Sequence, residues 1–338
     1  MRLHLIRSIV LTATFAAAAH AAPPIELELA TERGVQITAP REWLQLLAGL
    51  DITNVRIRTA SGADKPRIDN HGTPTEPRFH VVALLNSRNE LQLPGGTFGM
   101  HDRGRLADFF DQLAADGAES LTAERGRFGL TEKEFTAVHA DLAQPLATKT
   151  EGQSLAKLLD EIQRRFAHRV VPDAAALATI RTAPLIAEEV GNLTCGTGLA
   201  ILLNNAGLAL QPEKPRGAAV ELKIVPLATT NDAWPVGWQS PASPRETAPA
   251  LFEFLNVEIE GYTLQEAVDA IAPRLKLPIY WNRAALTKYK IDPATLQVHI
   301  PKTRTFYKRI LDRALAQNHL AAQLRVDEAG TAFLWITR

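Results

Sequence analysis

The distribution of apolar and polar positions gives the two halves of the chain different characters. Residues 25–148 alternate short extended runs with stretches whose apolar side chains recur at helical spacing. The predicted elements are a helix opening at Pro40, a strand over 54–59, a loop over 61–77, a strand over 79–85 and helices over 102–117 and 131–142. This mixture predicts one N-terminal α/β domain.

The second half contains an internal repeat. The pentapeptide at 151–155 (EGQSL) returns at 260–264 (EGYTL), an offset of 109 residues. The same offset pairs 175–177 (AAL) with 284–286 (AAL), and a three-residue insertion then shifts the match between the two copies. A register kept over such a distance indicates two copies of one structural unit.

Both copies predict the same succession of elements. A polar N-cap, Ser154 or Thr263, begins an amphipathic helix. A short apolar strand follows, then a second strand that is clearest in the later copy, a second helix and a closing hairpin. The predicted fold class is therefore α+β, with an N-terminal α/β domain over 25–148 followed by two small βαββαβ-type modules, module 1 over 149–227 and module 2 over 251–338.

This succession resembles the short N-terminal domain of secretins and TonB-dependent proteins. The resemblance is carried by the Ser-Leu or Thr-Leu step that opens the first helix and by Asn205-Ala206-Gly207-Leu208 at the end of the second. The second copy departs from the pattern there, with Asn318-His319-Leu320. In that family the module is a non-enzymatic periplasmic docking domain. The resemblance implies an exported adaptor whose partners are envelope proteins, including outer-membrane or secretion-system components.

The segment between the copies, residues 228–250, is rich in proline and has little periodicity, which predicts a semi-extended linker. Trp234 and Trp238 are unexpected in a solvated tether. Either they bind a partner protein as an aromatic pair, or they hold the linker against a neighbouring module, because a buried indole makes a large apolar contact. They are the candidate partner-binding residues of the sequence.

The first 21 residues have the pattern of a secretory signal peptide. Arg2 and Arg7 precede an apolar stretch, and Ala19-His20-Ala21 is a small-x-small cleavage site, so cleavage is expected between Ala21 and Ala22. The apolar stretch is shorter than the roughly 20 residues that span a bilayer. We therefore expect a periplasmic or secreted protein with no transmembrane segment in the mature chain.

Composition excludes several classes of function. The 37 basic and 37 acidic side chains balance, which argues against a nucleic-acid binder. A single cysteine excludes a disulfide framework within the chain and a cysteine-rich zinc module. Apolar residues make up 46% of the chain, enough to build packed cores.

No motif predicts catalysis, a cofactor or a metal. Ser154-Leu155-Ala156-Lys157 matches the Ser-x-x-Lys nucleophile of penicillin-interacting enzymes, but the other elements of such sites are missing from the sequence and an N-cap is expected instead. Residues 195–198 (CGTG) precede a helix, and a glycine-rich helix start can bind an anion, but the Lys-Ser/Thr of a P-loop is missing. The alternative, a tight turn with Cys195 buried as a small apolar residue, is expected instead.

The sequence therefore favours a non-enzymatic docking protein of the bacterial envelope, binding by strand addition to an exposed sheet edge. One alternative is a ligand-binding protein or hydrolase with its site in residues 25–148, which carry His71, His80, His101 and His139. A second alternative is a structural envelope component that assembles with itself.

Overall fold

The computed structural model describes residues 24–73 and 76–338, so the predicted signal peptide lies outside the described residues. The chain folds as two units, Met1–Ala123 and Glu124–Arg338. It is a mixed α+β protein with several small sheets and eleven α-helices in its described part.

The first unit is built on a six-stranded sheet. Its strands are β1 (Ile25–Thr31), β2 (Val55–Thr59), β3 (Arg67–Asn70), β4 (Phe79–Leu85), β5 (Leu91–Leu93) and β6 (Gly96–Phe98), and its helices are α1 (Ala39–Ala48), α2 (Arg103–Asp116) and α3 (Glu119–Thr122). The order is β2-β1-β4-β5-β6, and β3 pairs with β4. β1 runs parallel to β2 and β4, whereas β3 and β5 are antiparallel to β4.

Side chains alternate across this sheet, so its two faces differ. Phe79 and Val81 of β4 point to the core, where they join Trp43 of α1 and Leu113 of α2. His80, between them, lies on the opposite face. The predicted strands over 54–59 and 79–85 and the helix over 102–117 are confirmed. The predicted loop over 61–77 contains the short strand β3.

The boundary between the units differs from the one expected after residue 148. Residues 124–148, including helix α4 (Glu132–Leu142), belong to the second unit. Leu130, Val138 and Leu146 are fully buried in the same core as Leu158. This segment leaves the first unit because its apolar side chains complete the core of the following module.

Two parts of the second unit share one topology. The first contains α5 (Leu155–Gln163), β7 (Arg169–Pro172), α6 (Ala174–Thr182), α7 (Cys195–Asn205), β8 (Leu208–Glu213) and β9 (Glu221–Pro226). Between the parts lies α8 (Pro244–Thr247). The second contains β10 (Phe254–Thr263), α9 (Leu264–Leu275), β11 (Ile279–Trp281), α10 (Arg283–Tyr289), β12 (Gln297–Phe306), α11 (Tyr307–Ala316), β13 (Ala321–Val326) and β14 (Ala332–Thr337).

The three-stranded sheets of the two parts have the same order and orientations. In β7-β9-β8 and in β11-β14-β13, the first strand is parallel to the central one and the third is antiparallel to it. Short strands and hairpins were expected at these places, whereas the helices α6 and α10 were not.

The parts differ in the segments that precede their helices. In the second part these segments are β10 and β12, which form an antiparallel two-stranded ribbon. In the first part, residues 144–153 and 186–195 run side by side through scattered backbone hydrogen bonds, such as Leu146 N–H to the Leu193 carbonyl at 2.9 Å, without forming named strands. The βαββαβ pattern expected for both modules differs from the structure: the second part contains the additional helix α10 and ends in two strands, and the first lacks named strands before α5 and α7.

Candidate docking surface

The segment between the two parts is tied to both of them. The Trp234 backbone N–H donates to the Leu210 carbonyl of β8 at 2.6 Å. Trp238 pairs with Val326 of β13, donating at 2.7 Å and accepting at 3.0 Å. These bonds fall on the outer edges of β8 and β13, at one residue of each strand, Leu210 and Val326.

A single carboxylate gathers the side chains of this segment. Glu328, in the turn between β13 and β14, accepts from the indole N–H of Trp234 at 2.6 Å and from that of Trp238 at 3.2 Å. It also accepts from the Thr197 backbone N–H at 3.1 Å, from the Thr197 hydroxyl at 2.9 Å and from the Thr194 hydroxyl. The carboxylate therefore joins the tryptophan pair to the start of α7.

This contact bears on both interpretations of residues 195–198, an anion-binding helix start and a tight turn with a buried cysteine. The helix start does bind an anion, and the anion is the side chain of Glu328 from the same chain. Cys195 is fully buried, as the turn reading expected. Burial raises the pKa of its thiol to about 11, so the sulfur is a neutral packing group at ordinary pH.

The structure places the two candidate tryptophans differently. Trp234 is buried, at 2% exposure, and stacks on Phe128 with ring centroids 5.5 Å apart. Trp238 is half-buried and meets Trp234 edge-to-face. The pair holds residues 234–238 against the modules, and a partner-binding role for it stays a prediction that applies to the accessible surface of Trp238.

Side-chain amides cover two further strand edges. The Gln317 carbonyl accepts from the His299 N–H of β12 at 3.2 Å, and its amide donates to the His299 carbonyl at 3.0 Å. Pro301, two residues on, has no N–H to offer. In the first part, the Gln163 carbonyl accepts from the Val170 N–H of β7 at 2.5 Å. In both cases a side-chain amide is hydrogen-bonded to backbone groups with which an added strand would have to pair.

β10 and β12 are each ten residues long, and each has the other as its sole strand neighbour within the described residues. On β12 the outer edge is interrupted by the bonds between Gln317 and His299 and by Pro301, whereas β10 offers the longer open edge. β11, which likewise has a strand on one side alone, is three residues long. A long strand with one unpaired edge presents backbone donors and acceptors that can pair with another chain.

The exposed side chains along β10 suit such pairing. Phe254 is 66% exposed at one end and Tyr262 is 56% exposed at the other. Glu258 and Glu260 are exposed between them. The opposite side of the ribbon is anchored, because Ile259, Val298 and Ile300 are buried in the core of the second part. The ribbon is therefore anchored to the core on one face and has an open edge on β10. The sequence did not distinguish this edge from the other strand edges.

The remaining sequence candidates take structural places. The Ser154 hydroxyl accepts from the Lys157 N–H at 3.4 Å, which is the expected N-cap of α5. His139 lies on α4 in the second unit, with its ring 6.3 Å from those of Trp234 and Trp238. His101 is exposed before α2.

His71 and His80, in contrast, are brought together in the first unit. Their rings stack with centroids 5.4 Å apart and an interplanar angle of 10°. Asp69 lies beside them, and the candidate ligand atoms of the three side chains are all within 4.8 Å of one another. The enzyme or ligand-binding alternative rested on four histidines, and His71 and His80 are the two that lie together in the structure.

No helix in the described part of the chain has the length and apolar character needed to cross a membrane. Comparison of the chain with protein-family models, with curated proteins and with solved structures finds no match.

Proposed function

We propose that this chain is a non-enzymatic docking protein of the bacterial envelope, exported by its N-terminal signal peptide, and that β10 is the edge at which it receives a partner. The observation that carries this proposal is the open ten-residue edge of β10, whereas β7, β8, β12 and β13 each have one residue whose backbone is hydrogen-bonded to a side chain or to the segment between the parts. Strand addition relies on backbone groups, which is consistent with the lack of a catalytic motif in the sequence.

The shared topology of the two parts supports a tandem arrangement of modules similar to the short N-terminal domain of secretins and TonB-dependent proteins. The sequence repeat falls on equivalent elements, since residues 151–155 lead into α5 and residues 260–264 lead into α9. Likewise, residues 175–177 lie in α6 and residues 284–286 in α10.

The two modules have different roles in this proposal. Module 2 carries the ribbon and its open edge. In module 1 the corresponding segments are irregular, and Ala147 interrupts the first of them with a left-handed backbone, φ 51°. Module 1 therefore acts as the support on which module 2 is fixed by residues 234–238 and Glu328.

The occupant that fits this edge is an extended segment of a partner envelope protein. Its backbone would pair with β10, and its apolar side chains would contact Phe254 and Tyr262. Basic side chains would complement the exposed carboxylates of Glu258 and Glu260. A second copy of the chain has the wrong charge for this role, because its own β10 repeats the same acidic pair.

The test is photo-crosslinking in intact cells with a benzophenone amino acid in place of Tyr262. The control replaces Tyr289, which lies in the same module on α10 and not on the ribbon, and is 43% exposed. The proposal expects a discrete hetero-crosslink from position 262 and none from position 289. Glu258→Pro, at a register shift of the ribbon, should abolish the crosslink by removing a donor from the edge.

The other outcomes identify the alternatives. Crosslinks from position 262 to another copy of this chain would indicate self-assembly, as expected for a structural envelope component. Equal crosslinking from positions 262 and 289 would show that β10 is not a specific surface. In either case the docking proposal is overturned.

A further inference from the structure

A row of charged and polar side chains crosses the sheet of the first unit on the face opposite its core. Cross-strand pairing brings Asp69 of β3 beside His80 of β4. In the parallel pairing of β1, Glu26 lies opposite His80, and the side chain of Glu28 reaches diagonally to both His80 and Arg58. Core residues such as Leu27 and Val81 alternate with these positions and point the other way. The register of the sheet therefore assembles residues that are far apart in the sequence.

The two nitrogens of His80 face different carboxylates. Nε2 lies 3.3 Å from Glu28 Oε2, and Nδ1 lies 3.9 Å from Asp69 Oδ2. His71 stacks on the same ring, and its ligand nitrogen is within 4.8 Å of the ligand atoms of Asp69 and His80. One ring nitrogen of His80 thus faces the Glu28 carboxylate, and the other faces a second carboxylate, that of Asp69, beside which His71 lies.

Glu28 also pairs with a guanidinium group. The Arg58 guanidinium, which binds Asp64 at 2.8 Å, donates to Glu28. A carboxylate acceptor at Nε2 favours the His80 tautomer with its proton on Nε2. That tautomer leaves the Nδ1 lone pair free and directed toward Asp69. A carboxylate that orients a histidine through its second nitrogen is the usual support of a metal-binding imidazole.

We propose that Asp69, His71 and His80 form a binding site for a divalent transition-metal ion, with Zn²⁺ as the ion best suited to the ligands. Two imidazole nitrogens and one carboxylate oxygen are ligands that zinc accepts, and three protein ligands leave a fourth position for water or another ligand. Glu28 is a positioning residue in this site, acting on the metal through His80.

The distances allow the site to close on an ion. Ligand atoms around a tetrahedral zinc ion lie about 3.3 Å apart, given bonds of about 2.0 Å. The three side chains therefore need to approach by about 1.5 Å at most from their 4.8 Å limit. His71 is exposed and can rotate toward the ion. Asp69 Oδ2 is paired with Arg67 at 2.9 Å, but both side chains are about half exposed, so this pair is easily exchanged.

The experiment titrates the mature chain with Zn²⁺ in competition with a chromophoric chelator. One zinc ion per chain is expected, and His71→Ala should remove it, since His71 is exposed and its loss leaves the sheet intact. His101→Ala in the same unit and His299→Ala in the other are matched controls, because both histidines are exposed. Neither control should change the affinity.

Glu28→Gln gives a second, sharper test. It removes no ligand, yet it should weaken zinc binding roughly tenfold to hundredfold by loosening the orientation of His80. Long-range ¹H–¹⁵N spectra of the zinc-loaded chain should show His80 metal-bound at Nδ1 and protonated at Nε2. The spectra of the metal-free chain should show that the variants remain folded.

The proposal is overturned if His71→Ala binds zinc as tightly as the unchanged chain or if His101→Ala loses affinity equally. It is also overturned if the unchanged chain does not compete with the chelator for zinc. The row of side chains would then be a solvated ion-pair network. These outcomes are independent of the crosslinking test, because the cluster and β10 lie in different units.

Discussion

Gly196 and Glu328 meet at the start of α7, so closely that a Cβ atom on residue 196 would lie 2.5 Å from Glu328 Oε1. The same Cβ would lie 2.9 Å from the Cβ of Leu142. The absence of a side chain at 196 is therefore what lets the turn between β13 and β14 reach the helix. The relationship links residues 132 positions apart and makes the join between the modules sensitive to a single methyl group.

Gly196→Ala is expected to destabilise the second unit. The added methyl group must displace both Glu328 and the α4 backbone near Leu142, and overpacking of this kind costs about 1–3 kcal/mol. Urea denaturation measures the loss. Gly104→Ala is the control, since residue 104 lies in the first turn of α2 with nothing within 4 Å of its Cβ position. Equal stability of the two variants would show that Glu328 does not occupy this place.

Glu328→Ala should destabilise the same join by removing an acceptor. Five donors from Thr194, Thr197, Trp234 and Trp238 lose their partner. Leaving buried donors unsatisfied costs about 2–4 kcal/mol in total when water replaces part of the lost bonding. Chemical denaturation followed by tryptophan fluorescence reports the change directly. Glu258→Ala, on the exposed ribbon, should change stability by no more than about 0.5 kcal/mol.

The Cys195 thiol is expected to be unreactive in the native protein. Burial raises its pKa to about 11, so the thiolate that reacts with disulfide reagents is scarce at pH 8, and the sulfur is also covered. Ellman's reagent should therefore detect one thiol per chain after unfolding in guanidinium and almost none before. Rapid reaction of the native protein would contradict the placement of residue 195 in the core.

Glu189 is expected to contribute to the loss of stability in acid. Burial alone would raise its pKa, but backbone N–H groups of Gly191, Glu151 and Thr150 donate to the carboxylate and bring the pKa below its usual 4.5. The native state is therefore stabilised above the unfolded-state pKa, and this contribution is lost as the pH falls through the lowered native value.

Glu189→Gln should accordingly lower stability at neutral pH and flatten its decline below about pH 4.5. Thermal melting at a series of pH values compares this variant with Glu253→Gln, whose side chain is exposed. If both variants reproduced the unchanged acid profile, the hydrogen bonds to Glu189 would not influence the folding equilibrium.

The sequence by itself determined those features whose causes are local. Apolar spacing and N-caps placed α2, α4, α5 and α9, because a helix is specified by side chains within a few residues of one another. Alternation placed β2 and an apolar run placed β4 for the same reason. The offset between 151–155 and 260–264 likewise pointed to two related units before any contact was known.

Only the tertiary structure decided what depends on pairing between distant segments. The apolar positions of residues 124–148 show a buried face but do not say which core receives it, and the boundary therefore fell at Ala123 and not at 148. The edge of β10 is open because β12 is its sole strand neighbour within the described residues, whereas Gln317 and the segment around Trp238 bond to residues on other edges. Asp69, His71 and His80 became neighbours through the register of β3 on β4, which no spacing along the chain reveals.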